Sequence, residues 1–136
     1  MKKVMVFGTF DILHKGHEDY FKQAKEYGDF LIVIVAKDEN VKYLKSQSSH
    51  YNEKKRLHNV QEISIVDKAR LGNISDRLKV IEEEKPDIIC LGYDQEVNEA
   101  ELSSKLNKRG LNIIIKRMNG FKINKYKSSI LKEKRS

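Results

Sequence analysis

The sequence predicts a three-layer α/β domain built around a five-stranded, mainly parallel sheet. Short apolar runs alternate with longer amphipathic ones along the chain, the pattern of successive strand–helix–strand units. Several of the runs are continuously apolar, as strands covered on both faces must be. The length of 136 residues is one domain's worth, so residues 1–136 are expected to form a single unit.

The expected strands are 3–7 (KVMVF), 30–36 (FLIVIVA), 67–71 (DKARL), 87–91 (DIICL) and 111–116 (LNIIIK). Between the first two, GHEDYFKQAKEYG (16–28) places Tyr20, Phe21, Ala24 and Tyr27 at helical spacing and stops on Gly28. Asp38 and Asn52 are N-cap residues for helices over 39–45 and 53–63. A helix over 73–85 should end before Pro86, one over 98–110 should run to Gly110, and one over 126–135 closes the chain. The serine-rich stretch KSQSSHYN (45–52) reads as a loop.

Composition excludes several classes. No apolar run approaches the roughly 20 residues of a membrane helix, and MKKVMVFGTFD reads as a first strand rather than a signal peptide. Cys90 is the only cysteine, so there is no disulfide framework and a reducing cytoplasm is the expected setting. Residues 1–115 carry 19 Lys/Arg against 19 Asp/Glu, whereas 116–136 carry eight Lys/Arg and only Glu133. The basic end points to an anionic ligand: a nucleotide's phosphates or a nucleic acid backbone. Phe121 and Tyr126 do lie among lysines, but a nucleic-acid-binding module leaves the chain's most distinctive stretch unexplained.

That stretch is FGTFDILHKGHEDY, residues 7–20. In parallel sheets, ligands bind beyond the carboxyl ends of the strands. Gly8, Thr9, Phe10 and Asp11 follow the first strand there, and Gly92, Tyr93, Asp94 and Gln95 follow the fourth. His14 and His17 have no third partner at a spacing characteristic of zinc. They enter a helix instead, where unpaired N–H groups and the helix dipole favour a phosphate, and Gly16 between them allows close backbone approach.

GTFDILHKGH resembles the HxGH signature of the cytidylyltransferase-like nucleotidylyltransferases, and the resemblance covers nearly the whole chain. It implies a Rossmann-like sheet and attack of a substrate phosphate on the α-phosphate of a nucleoside triphosphate, with release of pyrophosphate. It further implies that His14 and His17 donate hydrogen bonds to the triphosphate, and that Thr9 and the backbone at Phe10 cradle it. Asp11 would orient groups or approach a Mg²⁺ ion carried by the nucleotide. Lys45 and Arg56 would neutralise phosphate charge, and Gly92 and Asp94 would contact base and ribose. Ser128 and Ser129, matching loosely the family's late Ser/Thr-rich motif, would close with the basic segment 116–136 over the phosphates. DFLIVIVAKDENVKYLK, VDKARLG and KPDIICLGYDQ are similar to the archaeal FAD synthases, which transfer AMP from ATP to FMN. Glycerol-3-phosphate cytidylyltransferases, which use CTP, are the alternative branch, and the family often forms homodimers.

Overall fold

The computed structural model describes residues 1–40, 50–73 and 76–120. Strands β1 (Lys3–Gly8), β2 (Phe30–Val35), β3 (Lys68–Leu71), β4 (Ile88–Leu91) and β5 (Ile114–Arg117) form one sheet in the order β3-β2-β1-β4-β5. Every neighbouring pair is parallel. Helices α1 (Lys15–Lys25), α2 (Glu53–Gln61), α3 (Lys79–Glu84) and α4 (Glu99–Lys108) lie between them in the chain. Among the described residues no helix is long and apolar enough to cross a membrane.

The apolar runs have two destinations because successive strand residues point to opposite faces. Val4 and Val6 of β1, Leu31, Val33 and Val35 of β2, and Ile88 and Cys90 of β4 pack with Tyr20, Phe21 and Ala24 of α1 and Val60 of α2. Met5, Ile32, Ile34, Ile89 and Leu91 pack on the other side with Val80 and Ile81 of α3 and Leu106 of α4. Each such burial contributes about 1.5–3 kcal/mol relative to exposure. Two covered faces are the three layers that the uninterrupted runs require.

The edge strand β3 has a different pattern, and a buried acid accounts for it. Ala69 and Leu71 join the α1–α2 side, while Lys68 and Arg70 reach Glu84 at the end of α3. Glu84 is 8% exposed and accepts from Lys68 Nζ at 3.0 and 3.1 Å and from Arg70 Nη1 at 2.9 Å. Burial raises the pKa of this carboxyl, but the two cations more than offset that and hold it below the usual carboxylate range.

Two elements differ from the sequence reading. β5 begins at Ile114, not 111, because Gly110 turns with φ +78° and the Leu111 N–H returns to the Leu106 carbonyl (2.9 Å), closing α4. The helix expected over 73–85 has only six residues, Lys79–Glu84. Asp76 sits ahead of it, accepting from the Leu78 N–H at 3.1 Å and pairing with Arg109 at 3.0 Å. Most of the helix expected after Asp38, most of the serine-rich loop and the final helix lie outside the described residues.

From β1 the chain winds outward to β2 and β3, whereas β4 and β5 lie on its other side. The β1–β4 boundary is therefore the point where the winding reverses. There the loops leaving neighbouring strands part and leave a crevice.

Candidate functional site

The crevice is a cleft of about 890 Å³ beyond the carboxyl ends of β1 and β4. Its walls bring together Gly8, Thr9, Phe10, Asp11, His14, Gly16, His17, Gly92 and Asp94, residues from two segments some 80 positions apart in the chain. Lys45, Ser128 and Ser129 lie outside the described residues.

The histidines are held by the helix they begin. His14 is the N-cap of α1: its Nδ1 accepts from the Gly16 N–H at 3.0 Å. His17 reaches back, its Nδ1 accepting from the backbone N–H of His14 at 3.3 Å. The two rings stack with centroids 4.0 Å apart. This is a capping box in which imidazole nitrogens replace the usual hydroxyl and carboxylate. A nitrogen that accepts carries no hydrogen, so in each neutral ring the proton sits on Nε2, leaving that edge free to donate into the cleft.

Burial, reinforced by the adjacent His14 ring, pushes the pKa of His17 from 6.5 down to about 4 against the opposing pull of Asp94. His17 is thus a neutral N–H donor across the physiological range. The unfolded chain binds a proton at this residue below about pH 6.5 while the folded chain resists until about pH 4. Stability contributed here is therefore complete above the upper value and is lost as pH falls through that window. Thermal melts between about pH 7 and pH 5 should show a downward slope that is reduced in His17→Asn, whose amide does not titrate. Equal slopes would remove His17 as its source.

Beneath the histidines lies Phe10. The backbone there turns at φ +54°, and the ring is 4% exposed, against His17 (centroids 5.4 Å, edge-on) and Phe21 (5.2 Å). Gly8 makes this possible, since a Cβ at Gly8 would lie 2.5 Å from Phe10 Cζ. Gly8→Ala should destabilise by about 1–3 kcal/mol, as overpacking does, read as a lower urea midpoint. It should also slow turnover, because the ring it displaces supports His17.

Two expected site residues have other partners. Arg56 does not line the cleft; it is 0% exposed. Its guanidinium donates to the carbonyls of Thr9 (2.9 Å), Ala36 (2.7 Å) and Tyr51 (3.1 Å) and to Asp38 Oδ1 (2.8 Å). The phosphate contact expected of it is replaced by a clamp beneath the loops that follow β1 and β2. Asp11 lines the cleft, but its carboxylate accepts from the backbone N–H groups of His50 (2.6 Å) and Tyr51 (2.8 Å). Burial raises its pKa, yet these two bonds and nearby cationic groups together hold it below the ordinary carboxylate range. It ties the β1–α1 loop to the approach of α2.

Arg117 performs on β4 what Arg56 does on β1. It donates to the carbonyls of Gly92 (2.9 Å), Gln95 (2.7 Å) and Val97 (2.8 Å), while Gln95 bridges the Gly92 N–H (2.9 Å) to the Phe7 carbonyl (2.7 Å). Sequence reasoning missed four further cleft residues: Ile12, Lys15, Tyr20 and Asn119. Tyr20 carries a helical-spacing signal, but that signal reads as core. Its ring is indeed buried and its hydroxyl donates to the Cys90 carbonyl at 2.6 Å. Asn119 carries no local signal; its backbone is held by Gln23 of α1 through paired bonds of 2.9 and 3.0 Å.

The site can offer imidazole N–H donors, a helix N-terminus, Lys15 and Asp94 to one bound molecule. Among the described residues no three of His, Cys, Asp and Glu form a group able to hold a metal ion.

Comparison with known proteins agrees with this geometry. The cytidylyltransferase-like family model matches residues 5–134. The FAD synthase of Thermoplasma volcanium is 45% identical over 121 residues, 89% of this chain and 84% of that protein. That of Thermoplasma acidophilum is 40% identical over 134 residues, 98% of this chain and 94% of that protein. A crystal structure from Thermoplasma volcanium, described as a lipopolysaccharide core biosynthesis protein, superposes with a TM-score of 0.85 at 45% identity over 89% of this chain and 98% of its own. Pantoate–β-alanine ligase from Francisella tularensis, complexed with β,γ-ATP and β-alanine, shares the fold alone, at a TM-score of 0.55 and 17% identity over 86% of this chain and 58% of its own.

Proposed function

This chain belongs to the cytidylyltransferase-like family, and from its 40–45% identity to FAD synthases over most of its length we propose that it is an FAD synthase, transferring AMP from ATP to FMN with release of pyrophosphate. A terminal oxygen of the FMN phosphate attacks the α-phosphorus of ATP; the new P–O bond forms as the bond to the β-phosphate oxygen breaks. The protein's contribution is placement of two anionic groups in line and neutralisation of the charge that builds on the transferring phosphoryl oxygens.

The observation that carries this reading is the pair of histidines locked with Nδ1 as acceptor. Their Nε2–H groups supply two preorganised donors about one ring-stacking distance apart, suited to oxygens on adjacent phosphates. Lys15 adds a cation at the same helix end, and Thr9 a hydroxyl held by the clamp on its own carbonyl. With its acceptor oxygens already bonded to backbone N–H groups, Asp11 acts on the loop rather than on an ion. A divalent cation bound to the ATP phosphates would neutralise part of their charge, and Asp94, on the cleft wall, would be a carboxylate able to approach it. Lys45 and the basic residues of segment 116–136 other than Arg117 are assigned to the β- and γ-phosphates on charge alone.

The direct test incubates the protein with Mg²⁺ and either ATP or CTP, offering FMN and glycerol 3-phosphate separately. FAD should form from ATP and FMN alone. CDP-glycerol as the sole product would overturn the proposal.

A further inference from the structure

Ile12 and Tyr93 are 58% and 53% exposed, yet both line the cleft, one from the loop after β1 and the other from the loop after β4. The remaining large exposed hydrophobic residues among those described, Met1, Tyr27 and Ile114, are not cleft residues. Scattered surface hydrophobics are ordinary. A pair brought from two separate loops to line one cleft suits the binding of an apolar group.

The backbone under both is held firmly. Ile12 sits between Asp11, bonded to His50 and Tyr51, and the β1–α1 loop's final residues before the capped His14. Tyr93 follows Gly92, whose N–H is bonded to Gln95 Oε1 and whose carbonyl is bonded to Arg117. Apolar surface kept open to water by a rigid frame, beside a phosphate site, is preorganised for a ligand that has a flat apolar part and a phosphate.

Resting on the FAD synthase reading, we infer that Ile12 and Tyr93 form the platform for the isoalloxazine ring of the acceptor. The cleft volume of about 890 Å³ is near the top of the roughly 300–1,000 Å³ typical of one small ligand, room for an acceptor beside the nucleotide. Glycerol 3-phosphate has no apolar surface and would leave both side chains wet. A purine also has a face to stack, but a smaller one than a three-ring flavin, and its identity is read along its edge by donors and acceptors. A three-ring flavin gains most from a face, through area and stacking on the phenol.

The test uses the full chain with α,β-methylene-ATP, which cannot release its diphosphate, and follows FMN fluorescence. Binding to the unaltered protein should quench the flavin through contact with Tyr93. Tyr93→Leu should bind FMN with the quench largely lost, and Tyr93→Ala with Ile12→Ser should weaken FMN about 10-fold or more, the scale of losing one stacked aromatic contact. Calorimetry should show the ATP analogue bound within about twofold of the original affinity. Weakening of the ATP analogue in place of FMN would make this a purine platform and overturn the inference. So would FAD formation with unaltered FMN affinity and quench in the variants. Failure of the unaltered protein to bind FMN or make FAD would instead overturn the FAD synthase reading beneath it.

Discussion

Replacing His17 by alanine is expected to lower FAD formation by about 10²–10³-fold, the effect of removing one preorganised donor from a site of developing charge. The fold should survive. Loss of the His17 half of the capping box removes a bond at the start of α1, which costs about 0.5–2 kcal/mol. Two variants separate chemistry from stability. His17→Asn retains a side-chain acceptor for the His14 N–H, so its melting temperature should lie between those of His17→Ala and the original protein, while turnover stays low if its amide cannot occupy the Nε2 position. His14→Ala should lose turnover to a similar degree and, because its Nδ1 caps Gly16, stability as well. Near-original turnover in His17→Ala, measured by FAD release at saturating substrate, would refute the role given to this residue.

The largest effect on stability is expected from Arg56→Met. Methionine approximates the volume and keeps the apolar stem, but it leaves the carbonyls of Thr9, Ala36 and Tyr51 without their donor. Each buried acceptor so orphaned costs about 1–3 kcal/mol. Asp38 loses a cation too, but its side chain is 43% exposed and water can replace part of that bond. We expect a total near 3–5 kcal/mol, the range for removing one member of a buried charged network, against the 5–15 kcal/mol that a typical domain has. Arg56→Lys should be almost as damaging, since an ammonium cannot span acceptors that a planar guanidinium reaches in several directions. Urea unfolding gives the answer, and an unchanged midpoint would show that the clamp is energetically idle. Activity should fall even below the melting transition, because Thr9 and Asp11 are positioned through the same cluster.

Arg56 also shows where reading the sequence stops. Its expected phosphate contact comes from the family resemblance, which places a basic residue on the helix after the loop, here the helix capped by Asn52. Whether that guanidinium meets a phosphate or three carbonyls depends on which strand ends the fold brings within about 3 Å of it. Asp11 is the same case: a carboxylate at the end of β1 can face an ion or a passing backbone segment, and here it meets residues 50 and 51. The Ile12–Tyr93 pair is invisible in one dimension, since each alone is an ordinary exposed side chain.

The sequence by itself determined the five strands and the histidine pair at a helix start. These are short-range properties. Side-chain alternation, helical spacing, an N-cap three residues from its partner and a continuous apolar run all act within one element, so composition and spacing express them directly. Tertiary structure alone decided that the guanidiniums of Arg56 and Arg117 bond loop carbonyls, that Asp11 ties one loop to another, and that Tyr20 and Asn119 reach the cleft. Those assignments depend on hydrogen bonds between groups tens of residues apart. Such bonds are set by the packing of the whole sheet, because a donor satisfies whichever acceptor the fold places in reach.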